Sequence, residues 1–262
     1  MRSPIELASA GILFVVSFVI SAIKPLPQPA DYHQLADQRT IFGVPNAIDV
    51  FTNFPYVVVS IVALFCVTRL YRESREVLAA FIFGCFFLST ASVSITSSLY
   101  HLAPNNVSLV GDRLSIVFSA TFLVGVACLK VFGSRETLRV VAISGIYGVS
   151  SMLYWCLTSG SRLENILYYV AFQIFVVCFV AFCCFLRCAR SMSYKWLLSA
   201  VVAYAASKPF EINDAQFLAL TNGLISGHSA KHLVIVFCVC AVLMHMLRSG
   251  DFSCRSSGSP NA

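Results

Sequence analysis

The chain reads as an all-α, polytopic transmembrane helix bundle. Of its 262 residues, 58% are hydrophobic and 11% charged, whereas soluble domains carry about 25% charge. The apolar residues fall into eight runs of about 20 residues, the length a helix needs to cross roughly 30 Å of hydrocarbon. Basic residues gather at alternate ends of those runs, as the positive-inside rule expects of a multi-pass protein.

The first run, 5–23, is interrupted near its start by Glu6 and followed by KPLPQP instead of a small-residue cleavage site, which makes it a span and not a signal peptide. An extracytoplasmic loop over 24–46 follows, with Pro25, Pro27 and Pro29 opening it and Gly43 and Pro45 closing it. The remaining spans are expected at 47–69, 77–102, 112–132, 138–157, 164–187, 195–217 and 224–247, and 248–262 forms a short tail. Connections are short and no internal repeat is present, so 1–262 is a single membrane domain. Arg69, Arg72 and Arg75, then Lys130, Arg135 and Arg139, then Arg187, Arg190 and Lys195, then Arg248 and Arg255, with Arg2 at the start, mark the cytoplasmic side. Both termini then face the cytoplasm.

Composition also narrows function. The 22 Phe, 10 Tyr and 2 Trp suit lipid-facing and packing surfaces, and nothing in their placement reads nucleic acid. The net charge of +6 follows from the basic inner loops. Most of the 11 cysteines, including Cys66, Cys85, Cys128, Cys178, Cys183, Cys184, Cys238 and Cys240, lie within apolar runs and act as small hydrophobes.

Polar side chains are costly in a bilayer, and those that occur mark functional positions. The third span ends in SITSSLYHL, with His101 at its extracytoplasmic end and Ser97 four residues deeper on the same face. GDRLS is expected to open the fourth span and place Asp112 at that level. ISGHSAKHL begins the last span with His228 and His232 one helical turn apart. Singly, each histidine at a membrane edge is more often a hydrogen-bond partner of a neighbouring helix. Together, an H-x-x-x-H pair plus a third imidazole supplies three ligands for tetrahedral Zn²⁺ and leaves a fourth position open, the pattern of catalytic sites. Zn²⁺ activates water at neutral pH; Asp112 is then placed to orient that water or pass its proton, and Ser97 to hydrogen-bond it. His245 lies at the opposite end of its span, and His33 reaches this level only if the first loop folds back.

Two further polar sets stand out. In KPFEIND, Lys208, Glu211 and Asp214 follow at spacing three on one expected helical stripe, read as supporting polar residues with a Lys208–Glu211 ion pair and a kink at Pro209. Asp31, Asp37, Asn46 and Asp49, with Asn53 beyond them, offer oxygen ligands that suit Ca²⁺. A solvated loop with Asn46 as a helix cap accounts for Asp31, Asp37 and Asn46 equally well.

This constellation resembles that of the alkaline ceramidases, multi-pass membrane hydrolases to which adiponectin-receptor-like proteins are distantly akin. The shared elements are S-x-x-x-H at Ser97 and His101, Asp112 near the start of the next helix, and H-x-x-x-H at His228 and His232 in the last. The resemblance covers the loop and a seven-helix core over 47–247, with the helix at 5–23 as an N-terminal addition. It implies that the three histidines hold zinc and that Ser97 and Asp112 serve the water that hydrolyses a lipid amide. DVFTN, at Asp49 to Asn53, resembles the end of the family's calcium motif, but the acidic cluster before it is thinned and lacks tryptophan, which argues against calcium regulation.

The expected function is therefore a zinc-dependent intramembrane amidase that cleaves the N-acyl bond of ceramide or a related lipid amide to a fatty acid and a long-chain base. The alternative from another class is an adiponectin-receptor-like sensor whose zinc is structural. A transporter using Glu211 and Asp214 is disfavoured because the inner halves of the spans carry few polar groups.

Overall fold

Lipid-length apolar segments separated by short polar turns dictate a helical hairpin architecture, because in hydrocarbon every backbone N–H and C=O must be satisfied within its own segment. The computed structural model describes residues 11, 14, 15, 17–19, 22, 25–187 and 191–249. It is helical throughout, with one isolated bridge between Ile41 and Val44. The helices are α1 (Ala47–Phe51), α2 (Phe54–Ser74), α3 (Val77–Leu102), α4 (Asn106–Cys128), α5 (Ser134–Thr158), α6 (Leu167–Arg187), α7 (Met192–Ile212), α8 (Asp214–Leu220) and α9 (Gly227–Arg248).

Six segments among the described residues are long and apolar enough to cross a membrane: α1 with α2, α3, α4, α5, α6 and α9. Two of the eight expected spans are therefore treated differently. Most of 5–23 lies outside the described residues, as does 250–262; residues 11, 14, 15, 17–19 and 22 are helical, and Phe14 packs edge-on against Tyr147 at 4.2 Å between ring centroids. The helix expected over 195–217 breaks at Asn213 into α7 and α8. Lys195, Lys208 and Glu211 lower the apolarity of α7, and it is not among the six.

Helix α2 packs on α3, α3 on α4, α4 on α6, α6 on α7, α7 on α9 and α9 back on α2, closing a ring; α5 packs outside it on α4 and α6. The close approach of α5 requires Gly148, whose Cβ would stand 2.6 Å from Val117 and 2.9 Å from Phe172. Large apolar side chains such as Phe65, Leu88, Ile146, Phe185 and Val202 face outward, while Ser60, Thr90, Ser94, Ser144 and Ser151 are buried. Apolar outside with small hydroxyl residues between helices is the arrangement that a lipid surround favours.

Candidate metal centre

His101 comes from the last turn of α3, and His228 and His232 from the first turns of α9. Their potential ligand atoms all lie within 4.8 Å of one another. The ring centroids are 4.8 Å apart for His101 and His228, 5.2 Å for His101 and His232, and 4.8 Å for His228 and His232. No other group of three His, Cys, Asp or Glu side chains among the described residues comes together in this way.

Local sequence fixes the start of α9. Ser226 is its N-cap and accepts from the Ser229 amide at 3.0 Å, and Asp214 accepts from the His228 amide at 2.7 Å. Each satisfies an orphan donor of the first turn. Gly227 allows the turn to sit against α7 and α8, because a Cβ there would stand 2.1 Å from the Phe210 carbonyl oxygen and 2.9 Å from Asp214 Cα. Buried Asp49 accepts from Ser226 Oγ at 3.3 Å and from Ser229 Oγ, tying α1 to the same turn.

Neighbouring groups hold the histidines. Asn46 Nδ2 donates to the His101 carbonyl at 2.8 Å, and Tyr56 Oη to the His232 carbonyl at 3.1 Å. Thr52 Oγ1 donates to the Ile48 carbonyl at 2.8 Å and lies 3.0 Å from His232 Nδ1. Its one hydrogen being used on Ile48, the hydroxyl accepts from Nδ1–H, which leaves Nε2 as the lone-pair nitrogen of His232. Lys231 Nζ lies 3.2 Å from His228 Nε2 and pairs with Glu211 at 2.9 Å.

Both ring nitrogens of His101 are buried without a hydrogen-bond partner. A neutral imidazole so placed leaves a donor and an acceptor unsatisfied, at a cost on the order of 1–3 kcal/mol for each group. A metal ion supplies the partner that the lone-pair nitrogen lacks, and three convergent imidazoles are a donor set that zinc accepts. The residues present thus fit such an ion, without selecting zinc over other imidazole-binding metals.

A cavity of about 390 Å³ opens beside the cluster, with Ser97, Asp112, His228 and His232 among its lining. Ser97 and Asp112 line it together, and Asp112 Oδ1 is buried without a partner. Away from the histidines the walls are mainly apolar, with Phe86, Leu123, Val177 and Val242, and carry a few polar side chains such as Thr90, Ser119 and Gln173. From His228 to Val242 the lining follows α9, a rise of about 21 Å at 1.5 Å per residue.

The structure revises several expectations. Helix α4 begins at Asn106 and not at Asp112, because Asn105 caps it by accepting from the Val107 and Ser108 amides in a capping box; Asp112 sits on the second turn. Asn46 stands at the N-cap position of α1, its carbonyl accepting from the Val50 amide at 3.1 Å, but it is left-handed at φ 47° and its side chain makes no cap hydrogen bond. Of the residues considered for calcium, Asp37, Asn46 and Asp49 have protein partners. Asp37 pairs with Arg39, Asn46 is on His101 and Asp49 is on Ser226 and Ser229. The hydrogen bonds from Arg39 hold the Asp37 carboxyl below its ordinary pKa. Buried Asn53 donates to the Asp49 carbonyl at 3.0 Å. The Lys208–Glu211 pair is present at 3.0 Å, whereas Asp214 leaves that stripe to open α8 and cap α9. Helix α7 continues through Pro209 to Ile212. His33 does fold back, with Nε2 2.8 Å from Asn106 Oδ1 and Nδ1 3.2 Å from Tyr100 Oη.

Thr52, Lys231 and Arg113 take part in the site or its cavity and were missed by the sequence reading. Lys231 and Arg113 had a signal, each being a charge inside an apolar segment beside a singled-out residue. Thr52 had none.

No protein-family model and no curated protein matches this sequence.

Proposed function

We propose that the protein is a zinc-dependent intramembrane amidase with a seven-helix ceramidase-like core, acting on the N-acyl bond of ceramide or a related lipid amide. The observation that carries this reading is a buried imidazole, His101, with both nitrogens unpartnered, facing two further histidines at the polar end of an otherwise apolar cavity. His101, His228 and His232 hold the ion. Zn²⁺ at such a site supplies Lewis acidity toward a carbonyl oxygen and makes water nucleophilic at neutral pH.

The protein's own groups do the rest. Asp112, which lines the cavity beside the histidines, takes the proton from the attacking water and returns it to the departing nitrogen as the C–N bond breaks. Ser97, also in the lining, hydrogen-bonds that water or the developing oxyanion. The apolar walls receive the acyl chain and keep bulk water from the cleavage point. The basic residues at the other end of the helices support an extracytoplasmic site and cytoplasmic termini by the positive-inside rule.

Purified protein supplied with zinc should release fatty acid from ceramide or another N-acyl lipid, and His232→Ala should abolish that release. Turnover no higher than that of the variant across a panel of lipid amides would overturn the proposal.

A further inference from the structure

Three cations line the cavity, and only two of them have an ionic partner. Lys208 and Lys231 share Glu211 at 3.0 and 2.9 Å. Arg113 is 4% exposed, forms no ion pair among the described residues, and keeps Nη1 buried without a hydrogen-bond partner. Its guanidinium carbon lies 5.0 Å from the Tyr32 ring centroid, 4.5 Å from that of Trp155 and 5.3 Å from that of Tyr169. Aromatic faces attract a cation, but they leave its in-plane N–H donors unused. Asp112 precedes it in sequence, yet successive residues diverge by about 100° around a helix, and the two form no ion pair.

A buried guanidinium left in this state is costly unless something anionic completes it. The cavity charge agrees: Arg113, Lys208 and Lys231 face Asp112 and Glu211, one cation in excess, and a divalent ion on the histidines would add to it. The planar guanidinium fork matches the geometry of a carboxylate. We propose that Arg113, framed by Tyr32, Trp155 and Tyr169, anchors the carboxylate of an amphiphile that also carries an amide, so that among ceramide and the related lipid amides of the amidase reading the preferred ligand class is an N-acyl amino acid. The amide part rests on the amidase reading; the anion anchor does not.

Trp155 lies against Arg113 and is one of only two tryptophans, so its fluorescence reports occupancy once Trp196 is changed to Phe. Full-length Trp196→Phe protein should be titrated in detergent with N-palmitoylglycine, with N-palmitoylethanolamine, which replaces the carboxylate by a neutral hydroxymethyl group, and with palmitate. The signal is read immediately after mixing, so it does not depend on turnover. The expected result is binding of the glycine conjugate about tenfold or more tighter than the ethanolamide, a margin lost in Arg113→Gln and partly kept in Arg113→Lys. Equal affinity for the two amides overturns the proposal without recourse to any variant, as does a margin that survives in Arg113→Gln. Palmitate binding as tightly as the glycine conjugate overturns the amide requirement. A clear margin without hydrolysis of either amide would leave the anion site standing while the amidase reading fails.

Discussion

The hydroxyl of Thr52 decides which nitrogen of His232 is free. Because it donates to the Ile48 carbonyl and receives Nδ1–H, Thr52→Val keeps the volume but lets the ring turn and change tautomer. Zinc affinity, measured by competition with a chelator, should fall by about 10- to 100-fold; unchanged affinity would remove Thr52 from the site. Asp112→Asn separates binding from chemistry. It should leave about one zinc per chain while amide cleavage falls by roughly 10²–10⁴-fold, and a variant that lost the metal as well would make Asp112 part of the binding set. At this scale the histidines were legible because H-x-x-x-H has a geometric meaning on a helix. Thr52 was not: a threonine in DVFTN has no pattern until the fold brings α9 beside it. Arg113 and Lys231 were visible as charges within apolar segments, but the rings around Arg113 and the Glu211 partner of Lys231 come from other segments.

Helix ends carry the site, and they were the less legible part of each element. The apolar runs located most helices, since apolar length is what a bilayer selects. Their ends depend on caps. Asn105 moves the start of α4 back to Asn106, and Asp214, expected on the stripe of Lys208 and Glu211, instead serves the first turn of α9. Gly227 is where this arrangement is least tolerant, because its missing Cβ leaves room for backbone and not for a movable side chain. Gly227→Ala should destabilise the protein by about 3 kcal/mol through overpacking and reduce zinc content along with the melting temperature. A variant with wild-type melting and zinc would show that α9 does not sit this close to α7 and α8.

At the scale of the whole molecule, the described residues form a ring of helices around the cavity, with the first loop fastened across the end that holds the histidines by His33 to Asn106, Asn46 to His101 and Arg39 to the Leu224 carbonyl. Helical class and membrane character were legible from composition, because only a lipid surround tolerates this much outward apolar surface. The ring closure and the break at Asn213 were not, since both depend on contacts between segments distant in sequence. Charge bias sets an orientation that can be tested in intact cells or vesicles. A cysteine-specific, membrane-impermeant reagent added outside should label Gln38→Cys in the first loop and not Ser256→Cys in the tail; the reverse pattern would invert the proposed topology. The central claim, that three histidines hold a metal ion, is tested most directly by elemental mass spectrometry of detergent-purified protein beside the His228→Ala, His232→Ala double variant. About one zinc per folded chain, absent from the double variant, is the predicted result. Folded wild-type protein without bound zinc, even after incubation with it, would contradict the account and reduce the three histidines to polar contacts between helices.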